Sequence, residues 1–181
     1  MNRSELINWV RGMSARELSL QAARLSRSGL GIGTPAPGEI GMMANGISYT
    51  ALTHSDWDEI DHGWWKSNGE VHLPRGKHYV YSVLHHSLGT IDILIKPITS
   101  NHEVMWQLWN QLLAEGCTVE LFSYRPDDHH CVIGVVELDE SDVHHACQED
   151  IEGGSPQEAV GRAFVLWEIS QQKIPFVAET A

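Results

Sequence analysis

Three stretches of the chain carry apolar residues at helical spacing, and the segments between them alternate or run continuously apolar as strands do. Val104, Met105, Leu108, Trp109, Leu112 and Leu113 recur at intervals that predict an amphipathic helix of about four turns, stopped by Gly116. Ala159, Val160, Ala163, Phe164, Leu166 and Trp167 fall mainly on one stripe of another helix. A helix or helix pair precedes Ser28 and closes at Gly29. Each stretch has an S-x-x-E start, at Ser14, Ser100 and Ser155. There the serine oxygen can accept the N3 amide while the glutamate reaches back, satisfying donors that a helix start leaves unpaired. At Ser155 the signal is strongest, because Gly153-Gly154 breaks the preceding segment and Pro156 falls where a missing N–H costs nothing.

Between the last two helices, CTVELFS (117–123) reads as a strand, Arg125 to Asp128 as a turn and CVIGVVEL (131–138) as a more buried strand. Asp139-Glu140-Ser141-Asp142 is a tight connection to a third strand near 143–150. Residues 31–90 are less regular. Glycine and proline punctuate GLGIGTPAPGEIG, a short helix fits THSDWDEID, and KHYVYSVLHH and TIDILIKP read as strands. This middle segment is expected to be an irregular insertion or extension. The predicted class is α+β, an antiparallel sheet packed with helices in an α/β/α sandwich-like arrangement, in a single domain of 181 residues.

At 42% hydrophobic and 20% charged, with seven tryptophans, the chain is not a disordered one. Its charge is unevenly placed. The net −12 arises between residues 97 and 161, which hold thirteen acids and one base, Arg125, while the remainder balances eleven acids with eleven bases. Positions 126–161 carry ten acids and no Lys or Arg, among them Asp127, Asp128, Asp139, Glu140, Asp142, Glu149, Asp150 and Glu152. Such a field opposes direct nucleic-acid binding and suits a basic partner; a surface that only confers solubility has the same composition. No apolar run approaches the ~20 residues of a membrane span, and MNRSELINWVRG lacks a secretory apolar core, so a cytosolic location is expected. Cys117, Cys131 and Cys147 form no CxxC pair and are expected to be free thiols.

Read in order, SARELSLQAARL, DHGWWKSNGE, PITSNHEVMWQLWNQLLAEGCTVELFS, CVIGVVEL and GGSPQEAVGRAFVLWEI resemble the phage ABA-sandwich domain family. Those proteins show a proline before a Ser/Thr-capped helix with a central Trp, then G-x-x-V-E-L, a strand, and a small-residue loop with Pro entering a final Ala-rich helix. The likeness covers the C-terminal half best and residues 14–30 loosely, and the segment 31–90 departs from the pattern. It implies a fold and a phage or prophage origin, hence the cytoplasm of a bacterial host, and carries over no catalytic residue.

Candidate chemistry concentrates in DDHHCVIGVVELDESDVHHAC, 127–147, with its two histidine doublets. If Asp139 to Asp142 is a four-residue turn, Leu138 pairs with Val143, Val136 with His145, Gly134 with Cys147 and His130 with Ile151. The doublets then lie ~20 Å apart along the hairpin, too far to share one metal, and Cys131 and Cys147 face opposite ways. His129 with Cys131, or His145 with Cys147, are the same-face pairs, and each needs two further ligands. In HSDWDEIDH (54–62), His54 with Asp58, or Asp58 with His62, would lie one turn apart on a helix and could share an ion. The stretch lacks the glycine and terminal glutamate of an EF-hand. No cofactor motif is present: GLGIG has no strand before it and no Lys-Ser/Thr after it.

Of the tryptophans, Trp106, Trp109 and Trp167 are expected in the core, Trp57 half-buried, and Trp64-Trp65 form a candidate aromatic surface or loop anchor. Three functional classes remain. The first is a noncatalytic module presenting its acidic surface to a basic host protein, such as a nucleic-acid-binding or defence protein, in the manner of an anti-CRISPR inhibitor. The second is a metal-dependent hydrolase using His and Asp. The third is a structural or assembly protein, with homodimerisation through the Trp-rich segment.

Overall fold

In the computed structural model, which describes residues 3–26, 52–73, 76–139 and 142–171, two of the three expected serine caps form as read. Ser14 Oγ accepts the Glu17 amide at 3.2 Å and Glu17 Oε2 accepts the Ser14 amide at 2.8 Å, opening α2 (Ala15–Ser26) behind α1 (Arg3–Gly12). Ser155 Oγ accepts the Glu158 amide at 3.1 Å, and Glu158 Oε2 reaches to the Gly154 amide. These bonds open α5 (Pro156–Gln171). At the third, Ser100 ends a 3-10 turn, Ile98–Ser100, and the cap shifts one residue to Asn101, whose Oδ1 accepts the Val104 amide at 3.2 Å. The helix that follows, α4 (His102–Ala114), ends before Gly116, whose φ of 86° is cheap only for glycine.

The fold is α+β, with five helices and two antiparallel three-stranded sheets among the described residues. Contacts divide the described residues into two compact units, one formed by those up to Leu25 and those from Ile98 to Gln171, the other by those between Ser26 and Pro97.

In the second of these units, 60–95 is not irregular. It forms a meander of β1 (Ile60–Leu73), β2 (Gly76–His85) and β3 (Gly89–Ile95), preceded by α3 (His54–Asp58). The short α3 stops at Asp58, so His62 lies in β1 rather than a turn further along a helix. Trp57, Trp65 and Tyr81 fill this core: Trp57 stacks on Trp65 with centroids 6.1 Å apart, and Tyr81 meets Trp65 edge-on at 6.3 Å. Trp57 is therefore fully rather than half buried. Residues 27–51 lie outside the described residues.

In the first unit, β4 (Cys117–Arg125), β5 (Asp128–Asp139) and β6 (Asp142–Gly153) form a sheet in sequence order. One face carries buried Cys117, Cys131, Ile133 and Ile151, and α4 and α5 pack against this sheet. The helix α5 is not amphipathic in its setting. Touching β5, β6, α4, α1 and the 3-10 turn, it is buried at nearly every position from Gln157 to Glu168. Its side chains Ala159, Ala163 and Gly161 are small enough to allow approach from several directions. A Cβ on Gly161 would stand 2.5 Å from Ile98 Cδ1. On α4, Val104, Met105, Leu108 and Leu112 face inward, whereas Trp106, expected in the core, is 53% exposed and packs edge-on against half-buried Trp109.

Candidate functional site

The β5–β6 hairpin pairs as expected near its tip, with Leu138 opposite Val143 and Val136 opposite His145. A bulge then adds one residue to β6 between the partners of Val136 and Val135. Beyond it the register is displaced by one: Gly134 faces Gln148, His130 faces Glu152 and Cys131 faces Ile151. Cys147 stands opposite Val135 rather than Gly134. The two positions are still four residues apart along the ladder, ~13 Å, beyond disulfide reach.

This register decides what the sheet shows on its other face. Across the strands, Glu120, Val132 and Asp150 form one row and Phe122, His130 and Glu152 the next. Arg125 and Asp128 stand opposite each other at the end. Glu120, Phe122, Tyr124, Asp127, Asp150 and Glu152 are exposed, Tyr124 at 69%. Strand alternation therefore turns one set of side chains to the helices and leaves carboxylates and two aromatic rings outward.

His130 is at the middle of that face. Its Nδ1 lies 2.9 Å from Asp150 Oδ1 and its Nε2 3.0 Å from Asp128 Oδ1, and the Tyr124 ring meets it edge-on at 5.3 Å. Hydrogen bonding to Asp150 holds the His130 pKa above its ordinary value; partial desolvation opposes this, and the charge of Asp150 and the Asp128 contacts add to it.

The remaining expected residues separate. His129, buried on the helix-facing side, has Nδ1 2.8 Å from Ser123 Oγ and donates from Nε2 to Pro126 O at 3.0 Å, which leaves neither nitrogen for a metal. Cys131 is fully buried, and desolvation with the nearby Asp150 charge pushes its thiol up to about 12. Asp58 is exposed and His62 half-buried. The side chains of His54, Glu149, His145 and Cys147, and those at Asp139 and Asp142, lie outside the described residues, as does all of Glu140. Among the described residues no group of three His, Cys, Asp or Glu side chains converges as a metal site. Trp65 is buried while Trp64 is 38% exposed, as neighbours on a strand must divide. The aromatic pair is thus one core residue and one surface residue.

Sequence reading passed over Glu120, Phe122 and Tyr124. The signal was available in TVELFSY, where Thr118, Glu120 and Phe122 share one parity, but which parity meets the helices is set by tertiary packing. It also passed over His85 in the other unit. That ring is buried, accepts the amides of Ser87 and Leu88 at Nδ1 at 3.3 and 3.2 Å, and so carries its proton on Nε2, 3.8 Å from Asp56 Oδ1. Its visible work is to pin the β2–β3 turn.

Among the described residues no helix is long and apolar enough to cross a membrane. Comparison of the chain with protein-family models, with curated proteins and with solved structures finds no match.

Proposed function

We propose that the protein is a noncatalytic, phage- or prophage-borne binding module whose acidic β4–β6 face docks on a basic host protein. A nucleic-acid-binding or defence protein is the natural class of target, because a surface that accepts phosphates also accepts carboxylates, and occupying it would inhibit the target as an anti-CRISPR protein does. The phage assignment draws on the order of capped helices, V-E-L strand and Pro-entered last helix along the sequence.

One observation carries the reading: exposed Glu120, Asp150 and Glu152 share a sheet face with exposed Phe122 and Tyr124. A surface that serves solubility alone gains from scattered charge and needs no exposed rings. Rings beside carboxylates suit arginine, which stacks on the one and pairs with the other. Arg125 is the only Lys or Arg on these three strands, so the face offers little opposing charge.

The test is a pull-down from nuclease-treated bacterial lysate, read by mass spectrometry, with the parent beside a Glu120→Gln/Asp127→Asn/Glu152→Gln variant. The parent should retain a basic protein that the variant loses by about tenfold or more, with folding unchanged by circular dichroism. Equal recovery by both proteins would sink the electrostatic reading.

A further inference from the structure

The acidic face holds a histidine set between two carboxylates. A neutral imidazole has one N–H and one lone pair, so it can donate to only one carboxylate and turns its lone pair toward the other. His130 has a carboxylate oxygen about 3 Å from each nitrogen, Asp150 at Nδ1 and Asp128 at Nε2, and only the imidazolium satisfies both. The other groups facing it from the neighbouring strands are Glu152 directly opposite on β6, Phe122 directly opposite on β4, and the Tyr124 ring edge. Glu152 favours the charged ring. Arg125, opposite Asp128 on β4, works against it. Cys131, next along β5, is buried on the far side of the sheet and stays a neutral thiol. The ring is 23% exposed, and the two carboxylates are 40% and 58% exposed, so solvent and a partner reach all three.

We propose that His130 is an internal competitor for the basic partner: as imidazolium it occupies Asp128 and Asp150, and a docking guanidinium takes over these carboxylates as the ring gives up its proton. The proton passes to solvent and the arginine stays charged, so binding releases a proton and strengthens as pH rises through the His130 titration. The raised pKa of the ring places that titration above the ordinary histidine value. This inference rests on the reading of the β4–β6 face as a docking surface for a basic protein.

An octa-arginine peptide serves as the probe, measured by titration calorimetry at low salt between about pH 5.5 and about pH 8.5. Runs near neutral pH in two buffers of different ionisation enthalpy count the protons released. The parent should gain about three- to tenfold in affinity over that range and release a substantial fraction of a proton. His130→Gln, neutral throughout and able to donate to one carboxylate only, should release none. It should also bind at the acid end about as tightly as the parent does at the alkaline end. The difference between parent and variant isolates the contribution of His130. Independently, the His130 pKa followed by NMR in the parent should fall when the peptide saturates the protein.

Equal pH slopes and equal proton release in parent and variant, or a His130 pKa unmoved by saturating peptide, would overturn the competitor while leaving the docking surface standing. Absence of peptide binding in both proteins at every pH would overturn the docking surface and the competitor with it.

Discussion

Cys131 and Cys117 show how a single residue's surroundings set its chemistry. Both thiols face the helices, and burial is the main cause that pushes them up, to about 12 for Cys131 and about 11 for Cys117, with Asp150 adding to the first and Glu115 and Glu168 to the second. The nucleophile is the thiolate, so at neutral pH both should be inert in the folded protein. Alkylation at about pH 7.5, mapped by peptide mass spectrometry, should leave both unmodified over an interval that labels the urea-unfolded chain completely. Native labelling of either would show that the thiols are reached without unfolding. At this scale the sequence was only half legible. Parity separates His129 and Cys131 from His130, but nothing local says which set meets the helices, and the same-face pair His129 and Cys131 is the buried one. Trp106 was misplaced for a related reason: it borders the apolar stripe of α4, and a few tens of degrees around the helix separate core from surface.

The helix α5 carries the argument at the scale of elements. Its start was readable, because Gly153, Gly154, Ser155, Pro156 and Glu158 each perform a local task. Ser155→Ala should therefore cost about 1 kcal/mol by urea denaturation. What was not readable is the burial all round it, since a stripe pattern records one packed face and this helix has several. Its two glycine contacts differ in kind. A Cβ at Gly161 meets Ile98 Cδ1, the end of a side chain that can turn, whereas a Cβ at Gly153 meets the Ala159 backbone nitrogen at 2.5 Å, which cannot. Alanine also gains about 1 kcal/mol over glycine within a helix, which offsets part of the strain at Gly161 alone. Gly161→Ala should thus cost about 1 kcal/mol and Gly153→Ala about 3 kcal/mol or more. A reversed order would mean that β6, rather than Ile98, is the part that yields. The bulge opposite Val135 and Val136 was equally hidden, and it has the larger consequence, because displacing the register by one puts Glu152 rather than Ile151 opposite His130.

Over the whole molecule, the uneven charge visible in the sequence becomes a surface, and that surface should destabilise the fold it sits on. Glu120 and Asp150 flank Val132 across the sheet, and Glu152 follows Asp150 two positions along β6. Like charges some 7–10 Å apart in water repel by about 0.5 kcal/mol each, and the Debye length of ~10 Å at 0.1 M salt only partly screens them. Neutralising Glu120 and Glu152, with exposed Asp127 of the β4–β5 turn, in Glu120→Gln/Asp127→Asn/Glu152→Gln should therefore raise the melting temperature by about 1–4 °C at low salt, and the gain should fade toward about 0.5 M salt. This same variant is the one expected to lose the basic partner, so the two measurements together separate the readings of the acidic face. A surface kept for binding trades stability for function: the variant melts higher and binds worse. A surface kept only for solubility would melt higher and bind no differently. His130 fits the first pattern, because its imidazolium relieves the repulsion between Asp128 and Asp150 while the face is empty and yields them when a partner arrives. The relief has a definite pH sign. A ring whose pKa is raised by folding stabilises the protein fully below its unfolded value, and the contribution disappears as pH rises through the folded one. The His130→Gln variant should accordingly lose stability relative to the parent at about pH 6 and approach it above about pH 8. A stability difference that stayed constant across that range would mean that the ring is held by packing rather than by its charge.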